Sequence, residues 1–503
     1  MNKKLKPLLD ELTEIAHIGG AISVLYWDLE TYMPKGSAEA RSEQIAYLSG
    51  LSHKKFTSEK FKNLLGEFVD LQSGKVSDDF TQTETRMLDE LYKDWKKSTC
   101  KPQKFVEEFS KLTSQAQPIW ADARQKDDYS IFSPILEKII KMSQKEAEFL
   151  GYETVPYDAL MDQYEPGLKT DEVNLLFGDL RDGTIALLNK IKNSSAADYQ
   201  HLVKQKFDKQ KQWDLGIDIL KAMGYDFNTG RQDYAAHPFT TEFHPTDVRI
   251  TTRIFEDSFL EGLGSTIHEG GHALYEQGLD ATWYPTPICE SISLGIHESQ
   301  SRLWENIIAN SKAFWSHWLP KTKAIFPQLK NAKLDEFYKA ANTVKPSLIR
   351  VGADEVTYNL HIMIRFEIEQ MIINEDFPVS DLPELWNAKY EEYLGIRPDS
   401  NANGVLQDVH WAHGSFGYFP TYAMGNLYSI YWVNQAETEI ADFWGKIANG
   451  EMLEFREWLR EKIHKIGRSR SASELLSDVT GKTLSAQPYL DYLNRKYGEI
   501  YGV

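Results

Sequence analysis

The 503-residue sequence predicts a mainly α-helical protein that contains one small β-sheet. Apolar residues recur at three- and four-residue spacing over most of the chain, which is typical of amphipathic helices. One stretch, residues 238–255, instead alternates with a period of two. No linker rich in proline, glycine or serine interrupts the sequence. We therefore predict a single large unit rather than separable domains.

Helical periodicity extends over both halves of the chain. The predicted helices are 4–18, 38–50, 55–72, 79–97, 103–126, 134–150, 171–193, 258–278, 292–313, 334–343, 347–373, 380–394, 436–446 and 450–466. The segment 238–255 is rich in Thr, Val, Ile and Phe, which favour strands. We predict a short hairpin or small sheet there, directly before the helix at 258–278.

Bulk composition excludes several classes of protein. A net charge of −18 disfavours nucleic acid and anionic membranes as partners. Only two cysteines occur, so the sequence has no disulfide framework and favours a reduced, cytoplasmic setting. No apolar stretch approaches the roughly 20 residues of a membrane-spanning helix. Asp10, Glu11 and Glu14 interrupt the apolar run that a signal peptide needs.

The strongest chemical signal is HEGGH at 268–272. Histidines four residues apart share one face of a helix, so both imidazoles can reach one metal ion. Glu269 lies beside them and can take a proton from a water that zinc activates, then pass it to the leaving amine. Residues 258–261 resemble a capping box that begins the helix, and Gly278 is a plausible end. The motif predicts a zinc peptidase.

A catalytic zinc takes three protein ligands and keeps one position open. Tyr275 and Gly278 exclude the extended metzincin pattern, which needs glycine and histidine there. Spacing favours Glu298 on a following helix as the third ligand, while Glu290 and Glu305 are alternatives. The two glycines of HEGGH cost about 1 kcal/mol each relative to alanine in a helix. Their presence indicates a close approach of substrate or backbone.

Six short motifs occur in a fixed order. Taken singly, each has an ordinary structural explanation, such as a surface ion pair between Arg350 and Asp354. Together, HPF, DxRxT, HExxH, HES, (I/G)Rxx(A/S)D and GxxQDxHW begin at residues 237, 247, 268, 297, 349 and 404. In this order they resemble the carboxypeptidase Taq family of metallocarboxypeptidases. The resemblance extends to YWDLETYMPKGSAEAR and to YDALMDQYEPG at 157–167, so it covers nearly the whole chain.

The resemblance implies a helical gluzincin-type zincin fold, with two lobes around a deep active-site groove. Residues 1–503 would form one catalytic domain, with about 1–200 as one wall and 230–430 carrying the metal and substrate motifs. The implied activity is removal of C-terminal amino acids from peptides, with broad preference and poor release of proline. The implied assembly is a homodimer.

The same resemblance implies roles for individual residues. The metal, Zn²⁺ or Co²⁺, would be bound by His268, His272 and Glu298, and Glu269 would be the general base. An exopeptidase must also hold the terminal carboxylate, which suits the bidentate guanidinium of arginine. Arg350 is our first choice and Arg249 our second. The remaining predicted residues are His410 and Tyr418 as catalytic donors, and His237 and Tyr422 as substrate contacts.

The sequence leaves alternatives for the hydrogen-bond partners of the metal-binding histidines and for the reaction. Zinc-bound histidines usually donate their second ring N–H to a carboxylate or carbonyl. Four residues after Glu298, where some gluzincins have aspartate, stands Arg302, so Asp354 and Asp408 are our candidates. The reaction also has alternatives, since a zinc oligopeptidase or a peptidyl-dipeptidase would share this metal site. A non-enzymatic zinc brace would need four closed ligands, which we do not find.

Overall fold

The computed structural model describes residues 2–503, and helices dominate it. Its α-helices are α1 (Lys6–Thr31), α2 (Ala38–Phe56), α3 (Glu59–Gly66), α4 (Gln82–Thr99), α5 (Gln103–Lys126), α6 (Tyr129–Leu150), α7 (Pro156–Met161), α8 (Thr170–Lys192), α9 (Lys209–Met223), α10 (Phe259–Gly278), α11 (Leu294–Arg302), α12 (Lys312–Ile325), α13 (Leu334–Ala341), α14 (Tyr358–Asn374), α15 (Leu382–Leu394), α16 (Pro420–Glu439), α17 (Phe443–Asn449), α18 (Leu453–Lys462), α19 (Ala472–Thr480) and α20 (Gln487–Tyr501). A π-helical segment, Leu303–Ala309, continues α11.

The predicted small sheet is present, with one strand more than the hairpin. It comprises β1 (Gly230–Tyr234), β2 (Thr240–His244) and β3 (Asp247–Thr252), in the order β1-β3-β2. The antiparallel pair β2 and β3 is the predicted hairpin, and β1 adds to β3 in parallel. Strand β1 was not predicted because its residues, GRQDY, are mostly polar.

Several helix predictions are confirmed, and local chemistry explains their bounds. The helix predicted at 103–126 is α5, which ends where Asp127 adopts a left-handed φ of 56°. The capping box of Thr81 and Glu84 begins α4. The prediction at 347–373 begins too early, because residues 350–352 form a 3₁₀ turn and α14 starts only at Tyr358.

Other helix predictions are wrong or missing. The helix predicted at 436–446 is broken at Asp442, whose φ of 51° separates α16 from α17. The helices α7, α9, α12, α19 and α20 and most of α16 were not predicted. In α16 the reason is burial on nearly all sides, which removes the polar face that periodicity detects. In α12 an internal proline, Pro320, obscures the pattern.

Apolar side chains form two separate clusters. The larger one runs from Ala116 to Ile500, and the smaller one joins α1, α3 and α4 to Ile288. A cavity of about 610 Å³ lies where α1 faces the β2–β3 hairpin and the segment 276–294. This arrangement agrees with the predicted two-lobed helical fold. The division at about residue 200 stays a prediction.

Three helices of the larger cluster pack unusually closely. A Cβ atom added to Gly271 in α10 would lie 2.6 Å from the backbone of Gln300 and Ser301 in α11. On the other side of α11, a Cβ atom at Gly425 in α16 would overlap the side chain of Glu298. Gly270 instead faces the flexible side chain of Leu220. The glycine at 271 therefore serves a backbone approach, one of the two causes that the sequence suggested.

This packing predicts a difference between two neighbouring glycines. Gly271→Ala should destabilise the protein by about 3 kcal/mol, because the backbone of α11 cannot move aside cheaply. In Gly270→Ala, rotation of Leu220 and the better helix propensity of alanine should leave stability nearly unchanged. Calorimetric melting of each variant measures the change in stability, and zinc content per chain measures whether the metal site is retained. A wild-type melting midpoint for Gly271→Ala would contradict this account.

Candidate active site

Helix α10 carries three of the predicted site residues. It begins at Phe259 and ends at Gly278, as predicted, although the Ser258 side chain makes no capping hydrogen bond. His268 and His272 are four residues apart and their ring centroids are 4.9 Å from each other. The helical spacing therefore brings both imidazoles to one side, as the sequence indicated.

Helix α11 brings Glu298 to the two histidines. Ser293 caps this helix by accepting from the Ile296 amide. The buried carboxylate of Glu165 accepts from Ser293 Oγ and from the Gly295 amide, which fixes the first turn. Glu298 Oε2 lies 3.6 Å from His268 Nε2 and 3.3 Å from His272 Nε2.

These three atoms have the spacing of a metal site. All three lie within 4.8 Å of one another, and no other cluster of this kind occurs in residues 2–503. Ligands bound tetrahedrally at about 2.1 Å are about 3.4 Å apart, close to the two observed separations. The donor set of two imidazoles and one carboxylate therefore fits a catalytic metal ion.

Burial and neighbouring charges set the protonation states of the three ligands. Burial alone would raise the pKa of Glu298, but Arg302 and His268 outweigh it and hold the pKa well below its usual value. Burial lowers the pKa of His272 to about 3, so its ring is neutral. Against the effect of burial, Glu298 and Glu305 raise the pKa of His268 to about 9. Metal binding at His268 thus displaces a proton.

The outer contacts of His268 correct the sequence analysis. Its Nδ1 lies 2.8 Å from Glu305 Oε2, so that carboxylate accepts the ring N–H and leaves Nε2 for a metal. Neither Asp354 nor Asp408 hydrogen-bonds to either histidine among the described residues. Glu305 lies in the π-helical segment, and sequence spacing does not reveal such a segment.

Arg302 contacts the third ligand, Glu298, whereas Glu290 pairs with a different arginine. Arg302 Nε donates to Glu298 Oε1 over 2.7 Å, and its Nη1 lies 3.4 Å from Glu305 Oε2. The arginine thus neutralises the oxygen of Glu298 that faces away from the histidines. Glu290, an alternative ligand in the sequence analysis, instead pairs with Arg468 at 2.8 Å.

His272 is supported by stacking. Its ring lies on that of His297, with centroids 4.4 Å apart and planes 26° from parallel. His297 Nε2 is in turn 2.8 Å from Glu276 Oε1. The Nδ1 atom of His272 has no hydrogen-bond partner in the described part of the chain. The histidine of the HES motif therefore orients a neighbouring ring.

Glu269, the predicted base, is buried beside the histidines, with 6% of its surface exposed. Burial raises the pKa of its carboxyl group. Thr240 Oγ1 donates to its Oε2 over 2.6 Å. Thr240 was not among the predicted site residues, although it directly follows the HPF motif on the predicted hairpin.

Four predicted residues from distant parts of the sequence lie together. The guanidinium of Arg350 is 5.0 Å from the centre of the Tyr422 ring. His410 Nε2 lies 3.3 Å from Tyr422 Oη. The rings of Tyr418 and Tyr422 are 5.3 Å apart. Tyr358 links this group to the metal site, because Arg302 stacks on its ring at 4.2 Å.

A buried carboxylate holds Arg350 in place. Asp408 Oδ1 accepts from Arg350 Nε and Nη2, and its Oδ2 accepts from Arg365 Nε. The two guanidinium groups outweigh the effect of burial and hold the pKa of Asp408 well below its usual value. Burial, with Arg350 and Arg365 nearby, lowers the pKa of His410 to about 4. At neutral pH His410 is therefore uncharged.

The other two predicted residues lie on the sheet. Arg249 forms a bidentate ion pair with Asp247, at 2.8 and 2.9 Å, and its guanidinium stacks between Trp27 and Phe243. His237 is exposed in the turn before β2. Within residues 2–503, neither side chain hydrogen-bonds to the metal-site residues or to the group around Arg350.

One further buried acid was not identified from sequence. Glu369 accepts from Tyr157 Oη, Trp411 Nε1 and the Gly417 amide. Burial raises the pKa of Glu369 to about 7. These bonds fix the segment that carries His410. No motif in the sequence distinguishes Glu369 from the other acidic residue of α14, Glu367.

Comparison with known proteins identifies the family. The profile of the carboxypeptidase Taq (M32) metallopeptidases matches residues 7–497. The chain belongs to this family. It is 41% identical over 498 residues to thermostable carboxypeptidase 1 of Pyrococcus furiosus, covering 99% of both chains. It is 38% identical over 497 residues to carboxypeptidase 1 of Bacillus subtilis, covering 99% of this chain and 98% of the other.

Solved structures agree with this assignment. The M32 carboxypeptidase of Deinococcus radiodurans superposes with a TM-score of 0.95 at 37% identity, over 100% of both chains. The protein is therefore a metallocarboxypeptidase, and the predicted family and helical fold are confirmed. None of the helices in residues 2–503 has the length and apolar character needed to span a membrane.

The contact between Glu305 and His268 predicts the metal affinity of a variant. Glu305→Gln keeps an acceptor but loses the charge, so zinc affinity should fall by about 10- to 100-fold. Titration against a chromogenic chelator measures the dissociation constant without reference to activity. Glu290→Gln is the matched control, because this acid pairs with Arg468 rather than with a metal-site histidine. Equal affinities in both variants would contradict the assignment.

Proposed function

We propose that this metallocarboxypeptidase binds zinc through His268, His272 and Glu298 and releases single amino acids from the C-terminal end of peptides. The observation that carries the proposal is the convergence of those three ligands beside the buried carboxylate of Glu269. Tyr358 links the metal site to the group around Arg350 and Tyr422, because it contacts both Arg302 and Arg350, and we propose that a terminal carboxylate binds at this group.

The choice of metal follows from the ligands. Two imidazoles and one carboxylate are a usual set for catalytic zinc, and cobalt accepts the same set. When bound, zinc supplies Lewis-acid chemistry and lowers the pKa of a bound water to about 7. The residues of this chain then orient the substrate and move the protons.

Glu269 is the proposed general base. Its Oε2 is engaged by Thr240, and its Oε1 has no hydrogen-bond partner in residues 2–503. A proton taken from water at Oε1 can be passed on to the nitrogen of the leaving amino acid. The pKa of Glu269, raised by burial, brings the carboxyl group closer to the pH at which both transfers are favourable.

Arg350 is the proposed anchor for the terminal carboxylate. Three of its N–H groups donate to Asp408 and Tyr358. A guanidinium has five N–H groups in all, so two are left for a ligand. Arg350 and Arg365 share the single carboxylate of Asp408, which leaves one positive charge unbalanced in this buried cluster. A terminal carboxylate supplies the missing negative charge.

Polar side chains near Arg350 are the proposed donors to the reacting carbonyl. His410 is neutral at pH 7, so it donates through one ring N–H without adding charge. Tyr418 lies beside it, with ring centroids 5.3 Å apart, and Tyr422 contacts both. On the sheet side, we propose His237 and Arg249 as contacts for residues farther from the cut bond.

Substrate range is the next part of the proposal. The cavity of about 610 Å³ is lined by Glu276, which bonds to His297 beside the metal ligands, and we propose that it receives the part of the peptide farther from the cut bond. We propose broad preference with poor release of proline, because proline contributes no amide N–H and its ring fixes the backbone. We also propose a cytoplasmic homodimer. The alternative, an oligopeptidase or peptidyl-dipeptidase, uses the same metal site but cuts the peptide farther from its C-terminal end.

A pair of matched peptides tests the reaction. The zinc-loaded protein is incubated with an N-acetylated peptide and with its C-amidated twin. We expect mass spectra of the free-acid peptide to show successive single-residue losses from the C-terminus, and the amidated twin to stay intact. Glu269→Gln is the control for contaminating peptidases and should release no amino acid from either peptide. Internal fragments from both peptides, or dipeptides from the free-acid peptide, would favour the alternative.

Substitution of each arginine by lysine distinguishes the two candidates. Lysine keeps the charge but loses the bidentate geometry. Arg350→Lys should lower kcat/KM on free-acid peptides by about 10- to 100-fold, the usual worth of a hydrogen bond to a charged group. Arg249→Lys should have a smaller effect, because this arginine lies on the sheet and pairs with Asp247. A larger loss of kcat/KM in Arg249→Lys than in Arg350→Lys would assign the binding of the terminal carboxylate to Arg249.

A further inference from the structure

Two motifs near the metal site, HPF at 237–239 and DxRxT at 247–251, contribute no metal ligand and no base. Their main contact is with each other. The Phe239 amide donates to Thr251 Oγ1 over 2.9 Å, and the Thr251 amide donates to the Phe239 carbonyl over 2.9 Å. Thr251 is completely buried. The last residue of one motif therefore fixes the last residue of the other, at the start of β2.

The sheet is also fixed to the catalytic helix. Thr252, the next residue of β3, hydrogen-bonds through Oγ1 to Thr266 Oγ1 over 2.9 Å. Both side chains are buried, and Thr266 lies one turn before Glu269 on α10. Strands β2 and β3 and helix α10 thus form one rigid unit, in which the position of Phe239 determines where the next residue lies.

That next residue is Thr240. Its Oγ1 is 2.6 Å from Glu269 Oε2 and 3.1 Å from the Glu269 carbonyl oxygen. A hydroxyl has one proton, and the shorter contact to the carboxylate is the hydrogen bond. No other side chain or amide in residues 2–503 bonds to the Glu269 carboxylate.

We infer that Thr240 is a positioning residue, which holds the carboxylate of Glu269 in one orientation through its hydroxyl group. The inference rests on the proposed role of Glu269 as the general base. With Oε2 held by Thr240, Oε1 is the oxygen that exchanges a proton with water. A shift of about 1 Å in a reacting group costs up to about 100-fold in rate. Loss of the hydroxyl should therefore affect turnover rather than substrate binding.

The test compares three substitutions on the zinc-loaded protein. Thr240→Val has nearly the same shape but no hydroxyl, and it should lower kcat by about 10- to 100-fold with KM within about twofold. Thr240→Ser keeps the hydroxyl and should restore most of the turnover. Thr241→Val is the matched control, because this neighbour points to the other face of β2 and its side chain makes no hydrogen bond in residues 2–503. Zinc content should match the wild type in all three.

A double substitution separates positioning from general structural damage. In a Glu269→Gln background, Thr240→Val should cause no further loss of the residual activity, because the group that it positions is already absent. A full additional loss there, a raised KM alone, or turnover unchanged by Thr240→Val would overturn the inference. Should the valine variant not fold, Thr240→Ala and the serine variant give the same comparison.

The outcomes also separate this inference from the proposed function. Full activity in Glu269→Gln would reject the general base itself, whatever Thr240→Val does. An inactive Glu269→Gln with a fully active Thr240→Val would reject only the positioning role.

Discussion

The active site depends on the close packing of α11 between α10 and α16. Gly271 on one side and Gly425 on the other allow α11 to approach so closely that no Cβ atom fits at either position. Glu298 lies on α11. The close contact of α11 with α10 and α16, rather than side-chain flexibility, therefore brings the Glu298 carboxylate to the two histidines. Close-packed interiors deform little. The packing of the helices therefore holds the three donor atoms at metal-site spacing.

The balance of charges among the buried side chains is a second condition for the active site. The carboxylates of Glu269, Glu298 and Glu305 lie around the histidine pair, the first two buried and the third partly exposed, and Arg302 pairs with both Glu298 and Glu305. Uncompensated charges are costly in such a site. A divalent cation together with Arg302 would neutralise the three acids. The group around Arg350 has the opposite imbalance, with two arginines on one aspartate. The two ends of the site therefore attract a cation and an anion respectively.

The small sheet gives the site its third constraint. The buried threonines of β3 attach the sheet both to Phe239, directly before β2, and to α10. A change in the hairpin is thereby transmitted to the carboxylate of Glu269. This explains how a mainly helical protein can depend on a few residues in extended conformation, and why motifs without metal ligands occur beside the catalytic helix.

The sequence by itself determined the local features: the helix with His268 and His272 four residues apart, the hairpin with its period of two, and the family. These depend on short-range spacing, which periodicity records.

Only the tertiary structure decided which carboxylate meets which histidine. Glu305, not Asp354 or Asp408, bonds to His268. Thr240 meets Glu269, and Asp408 joins Arg350 to Arg365. Such contacts between distant segments follow from helix packing, and no local pattern encodes them. Helix α16, which is buried on nearly all sides, was missed for a related reason, since periodicity is visible only where one face meets water.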